Sequence, residues 1–283
     1  ILPANVPNNV LIGAAQNFHD IQIRYFDYLL VHFPVLGLLK SVVVVGVIWL
    51  LYRDTPSRSQ DGEERPATEV PDYWSTDEKR LAFLLGIALV LWATDSVHHV
   101  SPAWISLGAG LVCLMPGVGL VPPQAFRDKV PINPLIYVAG ILGVGALVAQ
   151  SGMGEGLSQW GIGVFDLDPA RPAHNFFVLS GLSMLLGTVS TMPGVPAILT
   201  PIAGDLAAAS GLSIEAVLMT FVIGFSTVFF PYQVPPLIVL LQLGNIPARA
   251  AIATALGTAF VTVVVLLPLD YVWWRIIGLL PAG

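Results

Sequence analysis

Charged residues are scarce in this sequence. They make up 11% of its 283 residues, while hydrophobic residues make up 55%. Because a soluble domain carries about 25% charged residues, this composition excludes an ordinary soluble domain. It predicts an all-α, multi-pass protein of the inner membrane, with the lipid bilayer as its surroundings. The single cysteine, Cys113, excludes an intrachain disulfide. The net charge of −6 argues against nucleic acid as a partner, since nucleic acid binds a basic surface.

One long apolar stretch has no charged residue at all, from Ala216 to Ala248. Its centre cannot form a regular helix, because Pro231, Pro235 and Pro236 each lack a backbone N–H and clash with the preceding turn. In lipid, such freed backbone groups are tolerated only where protein or a water-filled cavity satisfies them. The stretch therefore predicts a broken transmembrane helix over residues 214–245, and transporters build ion and substrate sites at breaks of this kind.

A second interruption precedes this stretch. Phe176 to Ser210 consists of two short apolar arms around the segment GTVSTMPGVP, whose polar and helix-breaking residues favour a turn at membrane depth. We predict a re-entrant hairpin over residues 176–210, with its tip at Thr188–Pro196. The tip and the broken helix together would form the functional site.

The amino-terminal segment has a similar pattern. PANVP (Pro3–Pro7) and PYQVP (Pro231–Pro235) share the order proline, any residue, amide, valine, proline. Weak internal similarity of this kind is typical of transporters built from inverted repeats. We therefore expect residues 1–52 to end a first, truncated repeat, and residues 81–283 to form a complete second one. The chain begins with Ile1, which we interpret as an internal start.

The remaining segments complete the predicted topology. Residues 53–80 are the only long hydrophilic stretch and form a cytoplasmic linker. Near the end of this linker, Ser75 or Thr76 caps a helix. Three spans follow, and a last span covers residues 250–272. With the linker inside, the distribution of Lys and Arg places the carboxyl terminus outside. The predicted spans are Phe33–Tyr52, Leu81–Thr94, Pro102–Met115 and Pro134–Gly152.

Two kinds of residue are expected at the membrane surface. Tyr25 and Tyr28, as well as Trp273 and Trp274, are typical of the aromatic belts at headgroup level. Lys40 interrupts the span Phe33–Tyr52, and an intramembrane lysine is a candidate site residue. The alternative is that Lys40 lies near a helix end and extends to the interface, and we favour this alternative.

The order of linker, three spans, hairpin, broken helix and last span resembles the second half of the divalent anion:sodium symporter family. This family belongs to a superfamily that includes arsenite and citrate permeases. TMPGVPAILTPIA (Thr191–Ala203) is similar to the family's hairpin motif, Ser-Asn-Thr-Ala-Thr-Ala-Ala-x-Leu-x-Pro-Ile-Ala, but keeps only a hydroxyl of its Ser-Asn-Thr. The family's Thr-Pro-Pro-Asn signature matches Val234–Leu237 and, with its asparagine, Val6–Asn9.

The resemblance implies symport of sodium with sulfate or a di- or tricarboxylate, a homodimer, and an elevator motion. It also implies that a missing amino-terminal half is needed for transport. No cofactor is expected other than sodium as the coupling ion, and no other metal.

The candidate site residues follow from this scheme. Helix ends exposed at the tip and the break offer positive dipole and N–H groups to an anion, and carbonyls freed by the prolines can coordinate sodium. The predicted substrate-binding residues are Ser190, Thr191, Pro193, Gly194, Ser226, Thr227, Gln233 and Asn9. The predicted ion-binding residues are Thr188, Ser190, Met192, Ser226, Val228, Pro231 and Asn5.

Other functions remain open at this stage. A proton-coupled or efflux permease of the same superfamily, or a membrane subunit that descends from a permease without transporting, is compatible with the degenerate motifs. An intramembrane enzyme would need a nucleophile beside a base. His174 is expected at the interface and no Gly-x-Ser-x-Gly turn occurs, so we predict that the chain is not an enzyme.

Overall fold

The computed structural model describes Leu2 and residues 5–54, 73–118, 120–130 and 163–281, with single positions 136, 139, 140, 143 and 147. The structure is 78% helical, with no strand among the described residues, which confirms the all-α prediction. Most of the predicted linker 53–80 and of the predicted span Pro134–Gly152 lies outside the described residues.

The helices of the described residues are labelled in chain order. They are α1 (Val6–His19), α2 (Tyr25–Tyr52), α3 (Thr76–Ala93), α4 (Asp95–His98), α5 (Pro102–Leu114), α6 (Pro123–Lys129), α7 (Pro172–Val189), α8 (Gly194–Leu199), α9 (Ala203–Ser210), α10 (Ile214–Phe225), α11 (Pro235–Leu243) and α12 (Ala248–Ile276). Short 3₁₀ turns lie at Thr200–Ile202 and Pro231–Gln233. π-Helical segments interrupt α2 at Phe33–Leu39 and α12 at Thr262–Leu266.

Two of these helices, α2 and α12, are long and apolar enough to cross a membrane. A third candidate is the pair formed by Gly194–Ser210 and Ile214–Ser226, which is bent by 119° at its junction. The apolar helix α5 is shorter. These features confirm a multi-pass membrane protein with interrupted helices.

The chain forms two compact units. One contains Ile1–Ile48 and Ile132–Gly283, and the other contains Trp49–Pro131. In the first unit, α7 packs along α10, and α1 packs against α8 and α10. The amino-terminal helix and the predicted hairpin are therefore parts of the same unit, although His19 and its partner Thr200 are 181 residues apart in sequence.

In the second unit, α3 packs against α5. Its first turn is stabilised by a capping box: the Glu78 N–H donates to Ser75 Oγ (3.2 Å), and the Ser75 N–H donates to Glu78 Oε2 (2.7 Å). These hydrogen bonds also lower the pKa of Glu78. The helix start that the sequence predicts at Ser75 or Thr76 is thus confirmed, with Ser75 as the cap.

The hairpin predicted over residues 176–210 is present as α7, a non-helical tip, and α8–α9. The buried Asn175 joins the two arms at their base, because its Nδ2 donates to the Ser210 carbonyl (2.8 Å) and to the Asp168 carbonyl (2.7 Å). Since residues 175 and 210 meet, the chain reverses direction between them. The reversal lies at residues 190–193, midway along the segment.

The aromatic residues that we expected at the membrane surface are mostly core residues. Trp274 is fully buried and its ring lies 5.1 Å from Phe176, edge to face. Tyr25 and Tyr28 are also buried. These three side chains do not form an exposed aromatic belt, and Tyr28 and Trp274 instead pack against His32 inside the unit. Trp273 instead donates its indole N–H to the Leu30 carbonyl (2.9 Å).

The helices α7 and α10 lie very close together at Gly224. A Cβ atom there would lie 1.9 Å from Ser183 Oγ and 2.6 Å from the Ser183 carbonyl carbon. Ser183 is fully buried and donates to the Phe221 carbonyl (3.0 Å). The absence of a side chain at position 224 is therefore what allows the hairpin arm to contact the broken helix, as small residues do in other membrane proteins.

We predict that Gly224→Ala destabilises this unit. The added methyl group meets backbone as well as side-chain atoms, so relaxation requires the two helices to separate, at a cost of about 1–3 kcal/mol. The midpoint of thermal unfolding of the purified protein should fall by several degrees. Gly181→Ala is the matched control on α7, because a Cβ at Gly181 has no neighbour within 4 Å. Equal midpoints for the two variants would contradict the prediction.

Candidate functional site

The hairpin tip is the segment 190–193, between α7 and α8. Its hydroxyl groups bond locally: Ser190 Oγ donates to the Thr191 carbonyl (3.0 Å), and Thr188 Oγ1 donates to the Leu185 carbonyl (2.7 Å). Gly194 begins α8, and a Cβ there would lie 2.2 Å from Ser190 Oγ. Ser190 and Thr191 are half-buried, whereas Met192 and Gly194 are buried. The tip is therefore tightly folded and only partly accessible.

The helix break follows α10. Ser226 caps the carboxyl end of α10, and the buried Thr227 donates its hydroxyl to the Ile223 carbonyl (2.8 Å). Val228 lies in the irregular segment between this cap and the turn Pro231–Gln233. The chain then resumes as α11. The break that the prolines predict is confirmed.

Gln233 connects the tip to the break. Its Nε2 donates to the Gly187 carbonyl (2.5 Å), and its backbone carbonyl accepts from the Met192 N–H (3.1 Å). Its Oε1 accepts from the N–H groups of Phe229 (2.7 Å) and Phe230 (2.8 Å). One buried amide thus satisfies backbone groups that the break frees. The Tyr232 hydroxyl adds a further bond to the Thr188 carbonyl.

The length of α10 relates the position of the site to the thickness of a bilayer. The helix α10 has 12 residues, and at 1.5 Å per residue it is about 18 Å long. The hydrocarbon layer is about 30 Å thick. Ser213 caps the start of α10 beside the hairpin base, with its Oγ accepting from the Ala216 N–H (3.1 Å). If this base lies at the interface, the break and the tip lie inside the hydrocarbon layer.

The amino-terminal residues Asn5 and Asn9, which we predicted to bind ion and substrate, have other surroundings in the structure. The Asn5 side chain caps α1 by accepting from the Asn8 N–H (2.9 Å), and both Asn5 and Asn9 are exposed. Among the described residues, no hydrogen bond joins Asn5 or Asn9 to the tip or the break. The side-chain hydrogen bonds of α1 are made elsewhere: His19 Nε2 lies 2.6 Å from the Thr200 carbonyl, and Asn8 Oδ1 accepts from the Tyr28 hydroxyl (2.9 Å).

The helix start of α11 offers fewer N–H donors than we expected. Pro235 and Pro236 have none, and the Leu237 N–H donates to the Val234 carbonyl (2.9 Å). At the tip, the Gly194 N–H is likewise bonded to the Thr191 carbonyl (2.9 Å). An anion at this place would therefore depend on hydroxyl groups and helix dipoles more than on backbone N–H groups.

Lys40 is the residue that sequence reasoning placed incorrectly. It lies near the middle of α2, not at its end, and its Nζ donates to the Ser226 carbonyl (2.5 Å). The expected extension to the interface was wrong, because the carboxyl end of α10 offers an acceptor inside the unit. The sequence signal for this role is the lysine itself, because an ionisable residue inside a membrane-spanning helix usually belongs to a functional site.

Asp270 is the second site-related residue that the sequence analysis missed. It lies within the predicted last span, residues 250–272, where α12 continues to Ile276 and Asp270 is fully buried. The segment Leu267–Ile276 that carries it packs against the π-helical segment that ends directly before Lys40, so two opposite charges share one region of the unit. Two opposite charges, each isolated in an apolar helix, are a sequence signal for such a pairing.

Among the described residues, no group of three or more His, Cys, Asp or Glu side chains could hold a metal ion.

One family model matches the chain. It is described as the sodium:sulfate symporter transmembrane region, and the match covers residues 1–280. No curated protein matches the chain.

We predict that Gln233→Leu disrupts the junction between tip and break. The substitution leaves the Phe229 and Phe230 N–H groups and the Gly187 carbonyl without their partner, and each unsatisfied buried group costs about 1–3 kcal/mol. The variant should unfold at a clearly lower temperature than the wild type. Gln242→Leu makes the same change at an exposed position of α11 and should leave the unfolding temperature nearly unchanged. A similar loss in both variants would show that Gln233 has no special role.

Proposed function

The chain belongs to the family of sodium:sulfate symporter transmembrane regions, and from this premise we propose that it is a secondary active transporter. It moves a small inorganic or carboxylate anion together with sodium. Sulfate is the first substrate to test. The family is one of transporters, which agrees with the prediction that the chain is not an enzyme.

The observation that carries this proposal is the meeting of the hairpin tip and the helix break. Two interruptions of the backbone at membrane depth are costly in lipid, and here they join through Gln233. Discontinuous helices with this arrangement bind substrate and ion near the midplane in transporters. The junction is therefore the place where we put the anion.

Within the junction, the half-buried hydroxyl groups of Ser190 and Thr191 are our candidates for anion contacts. In the structure, Ser190 Oγ donates to the adjacent carbonyl, so a bound anion would take over this donor. Sodium would be coordinated by carbonyl oxygens of the tip and of the break, as hard cations prefer oxygen ligands. Gln233 is fully engaged with backbone groups, and we now assign it a positioning role.

The remaining parts of the proposal follow from the family. We propose that the protein acts as a homodimer in the inner membrane, with residues 53–80 in the cytoplasm and the carboxyl terminus outside. The unit that contains the hairpin and α10 would move relative to the membrane in an elevator motion. A further amino-terminal hairpin would complete the site.

Uptake into proteoliposomes tests the proposed function. Reconstituted full-length protein should accumulate radiolabelled sulfate when an inward sodium gradient is imposed, and the accumulation should collapse with a sodium ionophore. An inward proton gradient without sodium serves as the comparison. Accumulation driven by protons alone would replace sodium as the coupling ion. No gradient-driven accumulation of sulfate, dicarboxylates or oxyanions would contradict transport.

We predict that Ser190→Ala weakens sulfate recognition in this assay. A hydrogen bond to a charged group contributes about 1.5–3 kcal/mol, so the KM for sulfate should rise at least about tenfold. Ser41→Ala is the matched control, because Ser41 Oγ bonds only its own helix, at the Gly37 carbonyl (2.7 Å). An unchanged KM in Ser190→Ala would remove this hydroxyl group from the site.

A further inference from the structure

The Lys40 ammonium group lies at a carbonyl oxygen of the break that could otherwise bind a free cation. The carboxyl end of a helix carries partial negative charge on its last carbonyls, and cations are stabilised there. The Lys40 ammonium group lies at this end of α10, 2.5 Å from the Ser226 carbonyl oxygen. Ser226 caps α10 where the break begins. The cation at the Ser226 carbonyl is therefore a side chain of the protein itself.

The helix that carries Lys40 changes from π-helical to α-helical geometry at this residue. The π-helical segment Phe33–Leu39 ends directly before Lys40. In α12, the π-helical segment Thr262–Leu266 ends four residues before Asp270. The two π-helical segments contact each other. Such segments occur inside α-helices mainly at functional sites, and here both precede the two charged residues of otherwise apolar helices.

Asp270 supplies the opposite charge. It is fully buried beside the Trp274 side chain, and none of the described residues makes a hydrogen bond of standard geometry to its carboxylate oxygens. The segment Leu267–Ile276 that carries Asp270 packs against the π-helical segment that ends directly before Lys40, and no ion pair within 4 Å joins the two side chains in the described part of the chain. A buried charge without compensation is costly, so each of the two groups lowers the cost of keeping the other.

We propose that Lys40 is a tethered cation that takes the place of a sodium ion at the break of α10, with Asp270 as its compensating charge. The inference rests on the proposed function, because it specifies which part of that site remains open to sodium. Two unit charges about 4 Å apart at an effective dielectric constant of about 20 repel by about 4 kcal/mol, which weakens binding about a thousandfold. Sodium is thus kept from the Ser226 carbonyl while Lys40 is bound there. Coupling sodium then depends on the carbonyls of the tip and on carbonyls of the break other than that of Ser226.

Equilibrium binding of radioactive sodium to the purified full-length chain tests this inference. Lys40→Met keeps the length of the side chain and removes the charge, so the variant should bind one more sodium ion per chain than the wild type. Lys40→Arg keeps a cation at the same place and should bind the same number as the wild type. The double variant K40M/D270N removes both charges, and it should also open the Ser226 carbonyl to sodium if K40M alone does not fold.

The outcomes separate this inference from the proposed function. An additional sodium ion in K40M or K40M/D270N, with none in K40R, supports the tethered cation even if the wild type shows no sodium-driven uptake. Unchanged sodium binding in the folded charge-removal variants overturns it, even if sodium drives sulfate uptake by the wild type. Unchanged sodium binding together with a lost affinity for sulfate would also overturn it and would make Lys40 an anion ligand.

Discussion

The structure depends on one constraint: backbone groups freed inside a membrane must find partners within the protein. Pro231, Pro235 and Pro236 interrupt a helix in a stretch without charged residues, where lipid offers no hydrogen bonds. Gln233 meets this demand with a single side chain that bonds three backbone groups. Lys40 meets it at the other end of the break, at the Ser226 carbonyl. The same contacts fix the position of the hairpin tip.

The constraint also explains why the first unit is assembled from distant parts of the chain. The hairpin arm α7 can reach the break only because Gly224 allows it to approach α10 closely. The amino-terminal helix α1 covers the second arm of the hairpin, and α2 brings Lys40 to the break. A site of this kind is polar at its centre and apolar at its outer surface. This arrangement suits a protein that must bind an ion and an anion inside a bilayer.

Local patterns in the sequence predicted the interruptions but not their partners. Prolines and the polar tip residues change the backbone conformation within a few positions along the chain. The hairpin, the break and the Ser75 cap could therefore be predicted from the local sequence alone. The partner of Lys40 is 186 residues away in sequence, and no local pattern records that distance. Trp274 was misplaced for the same reason, because an amphipathic aromatic residue suits both an interface and a core, and its neighbour Phe176 decides between them.

The most direct test of the account is whether sulfate protects the hairpin tip. Thr191→Cys, made in a Cys113→Ala background, places one thiol at the half-buried tip. Tyr73→Cys places one at an exposed position far along the chain. With sodium present, sulfate should slow the reaction of a hydrophilic thiol reagent with Thr191→Cys several-fold and leave Tyr73→Cys unchanged. Equal rates at the tip with and without sulfate, in a Thr191→Cys protein that still takes up sulfate, would contradict a substrate site between the tip and the break.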